Sequence, residues 1–128
     1  MLAPPPARPV HVLLVEDNPR DARLVEIALS ELPTLEVELH RAASLTQAKA
    51  RVGGMDVVLL DLGLPESHGL PTLVALRTHA KSVPIVVLSG QSDPDLEEDA
   101  RAAGARGYLA KSHLTPQTLA QCIEAALH

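Results

Sequence analysis

The sequence predicts an α/β fold, in which five repeats of a strand followed by a helix form a (βα)5 three-layer sandwich around a parallel sheet. Near-continuous apolar runs at 10–15, 55–60 and 85–88 are typical of strands covered by helices on both faces. A helical segment separates each strand from the next, with capping residues or glycines at its ends. This alternation specifies a parallel sheet with right-handed crossovers.

Two further strands are predicted to lie at the edges of the sheet. Residues 36–40 alternate between polar and apolar side chains, which indicates one solvent-facing side, and the run at 107–109 is very short. With these two strands outermost, the flavodoxin-like parallel sheet order 2-1-3-4-5 fits the sequence. Its switch point, where ligands bind in such sheets, lies between the first and third strands.

The first and last helices begin at recognisable caps. Asn18 as the N-cap and Pro19 at the first helical position begin the first helix, which ends before Pro33. Thr115 and Pro116 begin the last helix. Apolar residues recur at helical spacing on one side of each helix. They are Leu24, Ala28 and Leu32 in the first helix and Leu119, Cys122, Ile123 and Ala126 in the last. We expect these stripes to face the sheet.

Three more helices fill the remaining gaps. Ser44, with Gln47 three positions later, predicts a capping box for the second helix, which stops at the Gly–Gly pair that follows it. Leucine and valine residues at 70–76 mark the third helix. Asp93 begins the fourth helix and Gly104 ends it.

Composition restricts the class of protein. A chain of 128 residues is the size of one domain, which we divide into a disordered, proline-rich lead-in at 1–9 and a globular domain at 10–128. The net charge of -5 and the lack of a basic run argue against a nucleic-acid partner. No apolar stretch approaches the roughly 20 residues of a membrane helix. We therefore expect no membrane partner. Because Cys122 is the single cysteine, no internal disulfide can form, and we expect a cytoplasmic protein.

Polar side chains follow the apolar strands where a parallel sheet binds its ligands. Glu16 and Asp17 follow the first strand, Asp61 ends the third, Ser89 ends the fourth and Lys111 follows the fifth. Because the carboxyl ends of parallel strands share one edge of the sheet, we expect these five side chains to form one site.

The residue types of this site suit a cation and a phosphoryl group. Three carboxylates repel one another unless a cation or protons neutralise them, and a hard cation such as Mg²⁺ suits them better than Zn²⁺. Asp61 could attack a phosphoryl group to form a mixed anhydride, while Lys111 neutralises charge and the Ser89 hydroxyl donates to an oxygen. Singly, each residue also fits an acidic loop, a turn or a solvated strand end. Their combination favours phosphoryl chemistry.

The segments LLVEDNPRDARL, DVVLLDLGLPESHGL, PIVVLSG and GARGYLAKS resemble the receiver domain of two-component response regulators. The resemblance covers roughly Val10 to Leu127. It implies that a sensor histidine kinase passes a phosphoryl group to this chain, and that the chain catalyses only its own Mg²⁺-dependent phosphorylation and dephosphorylation. No effector domain follows the last helix, so we expect a stand-alone, chemotaxis-regulator-like protein that signals by binding a downstream protein.

The resemblance also implies a role for each residue of the site. Asp61 would be the phosphoacceptor, and Ser89 and Lys111 would bind the phosphoryl group. The Mg²⁺ ligands would be Asp17, Asp61, Glu16 through a water molecule and the backbone carbonyl of Gly63. Tyr108, three residues before Lys111, stands where the family carries an aromatic switch coupled to Ser89, although packing at an edge strand would also explain it.

The chain departs from the family pattern in two places. Ser112 follows the lysine where most receivers have proline, which puts the shape of this loop in doubt. Gly63 has no side chain to shield a phosphoryl group, and the polar Gln91 could orient water, so we expect rapid self-hydrolysis of the phosphate.

The six histidines lack the spacing of a metal-binding motif. We expect His68 to lie in a surface loop and His11 to be a core or rim residue of the first strand.

Three alternatives use the same residues differently. A dehalogenase-type phosphatase would carry a second Asp two residues after its nucleophile, where this chain has Gly63. A phosphorylation-independent receiver-like binding module would keep the fold without the chemistry, and the complete site argues against it. Flavin binding would need a Ser/Thr-rich phosphate loop after the first strand, which this chain lacks.

The resemblance also implies that a homodimer could form through the first and last helices, or through the fourth helix, fifth strand and fifth helix. We favour a contact through the first helix, because it has more apolar residues than one buried stripe needs: Leu24, Val25, Ile27 and Leu29.

Overall fold

The structure is a computed structural model that describes residues 8–90 and 92–128. Residues 1–7 of the predicted lead-in lie outside the described residues, as does Gln91. Arg8, the first described residue, forms an ion pair with Asp56, with 2.7 Å between Nη2 and Oδ1.

Five parallel strands form the central sheet, and two short ones form a separate antiparallel hairpin. The strands are β1 (Val10–Val15), β2 (Val37–Ala42), β3 (Val57–Asp61), β4 (Gly63–Leu64), β5 (Ser67–His68), β6 (Ile85–Ser89) and β7 (Gly107–Ala110). The sheet order is β2-β1-β3-β6-β7, and β4 and β5 form the hairpin. Counting only the five strands of the sheet, this order is 2-1-3-4-5, which confirms the predicted flavodoxin-like fold with β2 and β7 at its edges.

Within the described residues, five α-helices connect or follow the strands of the sheet, and the N-terminal caps of several follow from the sequence. The helices are α1 (Pro19–Ser30), α2 (Leu45–Arg51), α3 (Leu70–His79), α4 (Pro94–Ala102) and α5 (Pro116–Leu127). The Asn18 side chain accepts hydrogen bonds from two backbone N–H groups of α1, and Ser44 accepts one from α2. Thr115 and Thr118 form a reciprocal capping box at α5. Side-chain acceptors thus satisfy N–H groups that have no partner within the helix.

The core consists of two apolar layers, one on each face of the sheet. Leu13 and Val15 of β1 face a layer that includes residues of α2, α3 and α4. Val12 and Leu14 point to the opposite face, where α1 and α5 pack. Because successive side chains of a strand alternate between faces, a strand buried on both sides is a continuous apolar run. This arrangement confirms the predicted three-layer sandwich.

The stripe predicted for α1 was partly wrong. Its buried residues are Ala22, Val25, Ala28 and Leu29. Leu24 is 59% exposed. Because successive residues turn by about 100°, a buried face centred near Val25 and Leu29 directs Leu24 toward solvent.

The predicted stripe of α5 is close to the observed one. Ala120 is buried together with three of the four predicted residues, whereas Cys122 is half-buried at the margin of the core. Burial raises the pKa of the Cys122 thiol above its ordinary value.

Candidate functional site

The carboxyl ends of β1, β3, β6 and β7 bring the predicted site residues to one edge of the sheet. Glu16 follows β1, and its N–H donates to the carbonyl of Ala42 at the end of β2. Asp61 is the last residue of β3 and lies beside Leu88 of β6. Ser89 ends β6 beside Ala110, the residue before Lys111. The parallel register therefore places residues from distant parts of the sequence side by side.

Three carboxylates form an acidic cluster at this edge. Glu16, Asp17 and Asp61 each offer one oxygen, and these three oxygens lie within 4.8 Å of one another. Glu16 is completely buried and Asp61 is 8% exposed. Clustered carboxylates of this kind are oxygen ligands for a small hard cation, and the described residues place no sulfur or imidazole ligand in the cluster.

Glu16 is held in place by two donors. Its Oε1 accepts a hydrogen bond from the Asn18 N–H at 3.1 Å, and its Oε2 accepts one from Lys111 Nζ at 2.8 Å. The pKa of Glu16 is raised to about 6, chiefly by burial and also by the neighbouring Asp61, against the lowering effect of the two donors. Glu16 therefore carries its negative charge at a cost that a bound cation would relieve.

Lys111 lies among three carboxylates. Its Nζ donates to Glu16 and, at 2.7 Å, to Asp21 Oδ2, and it is 3.6 Å from Asp61 Oδ1. Burial alone would lower the pKa of Lys111, but the hydrogen bonds to Asp21 and Glu16 and the charge of Asp61 raise it. Lys111 is therefore a permanent positive charge beside the predicted acceptor.

Asp61 is oriented by the backbone that follows it. Its Oδ1 accepts a hydrogen bond from the N–H of Gly63 at 3.1 Å, where the hairpin of β4 and β5 begins. The hairpin returns the chain to α3, and the Gly69 N–H donates to the Leu62 carbonyl at 2.7 Å. The predicted metal ligand Gly63, two residues after Asp61 in the sequence, thus contacts the Asp61 carboxylate through its N–H.

Ser89 and Tyr108 lie on the same face of the sheet. Val87 belongs to the layer beneath α4, so the alternation of side chains puts Ser89 on that face too. Tyr108 pairs with Val87 in the register and packs against the same layer. A cleft of about 310 Å³, lined by Ser89, Gly90, Asp93 and Leu96, opens between the end of β6 and the beginning of α4.

Asp21 is a site residue that the sequence analysis missed. It lies in the first turn of α1, and its Oδ2 accepts a hydrogen bond from Lys111 Nζ. The sequence signal was partial: Asp21 is four residues after Asp17 and lies in the first turn of the helix that Asn18 caps, but the direction of that helix relative to Lys111 cannot be read from the sequence.

The sequence matches the family described as response regulator receiver domain over residues 12–124. The chain belongs to this family. Members of the family are not conventional enzymes; receiver domains in general bind Mg²⁺ and interact with histidine kinases and downstream partners. This agrees with the resemblance found in the sequence and with the acidic cluster at the sheet edge.

Similar proteins include regulators and isolated receiver domains. The glycerol metabolism activator of Pseudomonas putida is 32% identical over 106 residues, which cover 79% of this chain and 47% of the activator. The chain thus spans about half the length of the curated relatives that it matches.

Solved structures match over nearly the full chain. The chemotaxis protein CheY4 of Vibrio cholerae has a TM-score of 0.76 and 27% identity, covering 94% of this chain and 100% of CheY4. The signal receiver domain of an HD domain-containing protein from Pseudomonas fluorescens Pf-5 has a TM-score of 0.77 and 28% identity, covering 94% of this chain and 95% of that one. Within residues 8–90 and 92–128, no helix has the length and apolar character to cross a membrane.

Proposed function

We propose that this receiver domain accepts a phosphoryl group on Asp61 from the phosphohistidine of a sensor kinase and transmits the signal through protein–protein contacts. The observation that carries the proposal is the position of Lys111 Nζ, 3.6 Å from Asp61 Oδ1, beside the cluster of Glu16, Asp17 and Asp61. Buried carboxylates opposite one lysine are the groups needed to bind a cation and a phosphoryl group.

The transfer exchanges one bond to phosphorus for another. A carboxylate oxygen of Asp61 attacks the phosphorus, the bond between phosphorus and the kinase imidazole nitrogen breaks, and an acyl phosphate forms. Mg²⁺, when bound, supplies positive charge to the phosphoryl oxygens. Asp17 and Asp61 would hold it directly, Glu16 through water, and Gly63 through its backbone carbonyl.

Lys111 and Ser89 would receive the new charge. Lys111 already lies within reach of Asp61 and needs only to exchange part of its contact with Glu16 and Asp21 for a phosphoryl oxygen. The Ser89 hydroxyl would donate to a second oxygen from the end of β6. The hydrogen bond from the Gly63 N–H leaves Asp61 oriented for attack.

Tyr108 would couple phosphorylation of Asp61 to a conformational change at the protein surface. Ser89 and Tyr108 share the α4 face of the sheet, so movement of Ser89 toward a phosphoryl group would change the space available to the ring. Gly63 leaves the acceptor without a shielding side chain, so the phosphate on Asp61 should hydrolyse rapidly. Gln91, which was predicted to orient water for this hydrolysis, lies outside the described residues.

We propose a cytoplasmic protein whose domain occupies residues 10–128 and whose output is contact with another protein rather than with nucleic acid. The net charge of -5 and the single cysteine support this. Some relatives are named transcriptional regulatory proteins, so an output domain in a longer chain is the competing arrangement.

Intact-mass spectrometry tests the acceptor. The native chain, Asp61→Asn and the control Asp99→Asn, which alters an exposed carboxylate of α4, are incubated with Mg²⁺ and acetyl phosphate. We expect one added phosphate on the native chain and the control, and none on Asp61→Asn. Because hydrolysis could remove the label, Mg²⁺-dependent beryllofluoride binding is measured in parallel. Absence of both signals from the native chain would refute the proposal and favour a phosphorylation-independent binding module.

The switch needs its own test. Tyr108→Ala should take up phosphate on Asp61 as the native chain does, while the difference in partner affinity between the phosphorylated and unphosphorylated states should shrink. If phosphorylation changed partner affinity equally in both proteins, the role of Tyr108 would be wrong while that of Asp61 would stand.

A further inference from the structure

A second cluster of ligand-type side chains lies away from the acidic site, near the amino ends of β1 and β2. His11 Nδ1 is 3.1 Å from His40 Nε2 and 3.5 Å from Glu38 Oε2. One ligand atom from each of these three residues lies within 4.8 Å of the other two. None of the three has a role in the proposed phosphoryl chemistry.

The register of the sheet builds this cluster. His11 lies opposite Glu38 in the pairing of β1 with β2, and His40 follows Glu38 by two residues on the same face. The backbone of His11 is fixed by its N–H, which donates to Asp56 Oδ2 at 2.8 Å. The two imidazole rings stack, with centroids 5.4 Å apart and planes inclined by 30°. The ligands therefore project from paired strands and not from a loop.

The spacing of the ligand atoms fits a tetrahedral metal ion. With Zn–N and Zn–O bonds of about 2.0–2.1 Å, two ligand atoms of a tetrahedral site lie about 3.3 Å apart. The distances from His11 Nδ1 to His40 Nε2 and to Glu38 Oε2 bracket that value. Two imidazoles and one carboxylate also form a ligand set known from zinc sites that keep an open fourth position.

The chemistry of the cluster separates it from the acidic site. Imidazole nitrogen suits Zn²⁺, Cu²⁺ or Ni²⁺, whereas Mg²⁺ prefers oxygen ligands in octahedral geometry. The side chains of His11 and Glu38 are 28% and 55% exposed, so an ion could enter from solvent and keep a water ligand. Without an ion, the same contacts leave the two rings as a hydrogen-bonded imidazole pair.

We propose that His11, Glu38 and His40 form a binding site for one divalent transition metal ion, with Zn²⁺ as the ion that fits best. The site cross-links the edge strand β2 to β1 on the α2 face of the sheet. Because an ion bound only by the folded state stabilises that state by mass action, Zn²⁺ should raise the unfolding temperature of the protein.

Calorimetry and thermal unfolding with Zn²⁺ test the site. Both are run in excess Mg²⁺, which competes for the carboxylates of the acidic cluster. We expect one Zn²⁺ per native chain and a higher unfolding midpoint. His40→Gln and Glu38→Gln should each weaken Zn²⁺ binding by at least roughly tenfold and reduce the shift in midpoint. The control His79→Gln, which alters an exposed histidine at the end of α3, should match the native chain.

Nuclear magnetic resonance locates the ion without relying on stability. Substoichiometric Cu²⁺ should broaden the ring protons of His11 and His40 and leave those of His68 and His79 sharp. Glu38→Gln is the safer of the two site variants, because its side chain is mostly exposed and its shape is unchanged. The proposal is overturned if the native chain binds no Zn²⁺, if both variants bind as tightly as the native chain, or if Cu²⁺ broadens other histidines instead.

Discussion

At the scale of residues, the acidic site is unbalanced in charge. In the part of the chain that the structure describes, Lys111 forms the ion pairs of the site, with Glu16, Asp21 and Asp61, and the carboxylate of Asp17 adds to the same cluster. Burial makes this imbalance more costly, as the raised pKa of Glu16 shows. The site is therefore prepared for additional positive charge.

Replacing the lysine should strengthen binding of the cation. In Lys111→Met the carboxylates lose the positive charge that neutralises them in the metal-free protein. We therefore expect Mg²⁺ to bind roughly fivefold more tightly, which corresponds to about 1 kcal/mol of binding free energy. Titration calorimetry in low salt measures the affinity. Lys81→Met, an exposed lysine outside the site, is the control and should bind Mg²⁺ like the native chain. Weaker binding by Lys111→Met would contradict this account of the charges.

The sequence could predict a site residue where the strand order alone places it, and not where its position depends on a helix direction or a strand register. Glu16, Asp61, Ser89 and Lys111 were predictable because strand ends converge in any parallel sheet. Asp21 was not, since its contact depends on the direction of α1 and on the conformation of Lys111. The histidine cluster was missed for a similar reason: its members come from two strands, and only the register of β1 with β2 brings them together.

At the scale of elements, the long apolar strands and capped helices were predictable, and the hairpin was not. Strands β4 and β5 have two residues each, too few to show a period in the sequence. They form because the chain must turn between Asp61 and α3. Strand β2 runs through Arg41 and Ala42, beyond its predicted end at His40, because each of its residues pairs with one of β1.

The end of α4 depends on a glycine. Gly104 has φ +107°, and a Cβ built there would collide with the side chain of Arg77. We expect Gly104→Ala to lower the free energy of unfolding by about 2 kcal/mol through backbone strain, because the exposed Arg77 side chain can move away from the new methyl group. Urea denaturation measures the change. Gly53→Ala is the matched control, because nothing lies within 4 Å of its Cβ position, and it should change stability by less than about 0.5 kcal/mol.

At the scale of the whole molecule, helix α1 presents apolar side chains that the core does not cover. Leu24 is 59% exposed and Ile27 is 42% exposed, while Val25 and Leu29 of the same helix are buried. This excess, noted in the sequence, remains after folding. It supports the predicted homodimer through α1.

Sedimentation at several protein concentrations tests that dimer. We expect the native chain to self-associate and Ile27→Glu to sediment as a monomer, because a carboxylate would be placed in the apolar contact. Val74→Glu is the control: Val74 is 48% exposed on α3, which packs on the other face of the sheet from α1. A native chain that stays monomeric, or an Ile27→Glu variant that associates like it, would exclude this surface.

The proposed phosphoacceptor should make the metal-free protein less stable. Asp61 adds a like charge beside Glu16 and Asp17, and its attraction to Lys111 at 3.6 Å is shared with other carboxylates. In metal-free buffer at neutral pH we expect Asp61→Asn to raise the free energy of unfolding by about 1 kcal/mol, the size of one such repulsion after screening. Saturating Mg²⁺ should remove or reverse this advantage, because the native cluster binds the ion more tightly.

The pH dependence of the same variant follows from Glu16. Its folded-state pKa of about 6 lies above its ordinary value of 4.5, so between these values the folded state binds more protons than the unfolded state. The native protein therefore loses stability as pH rises through this window. Because Asp61 contributes to the raised pKa of Glu16, the loss should be smaller in Asp61→Asn. We expect the stability advantage of Asp61→Asn to grow from pH 4.5 to about 6 and then level off, as measured by urea denaturation against the control Asp99→Asn. An advantage that falls with rising pH would show that Asp61 does not act on Glu16 through its charge.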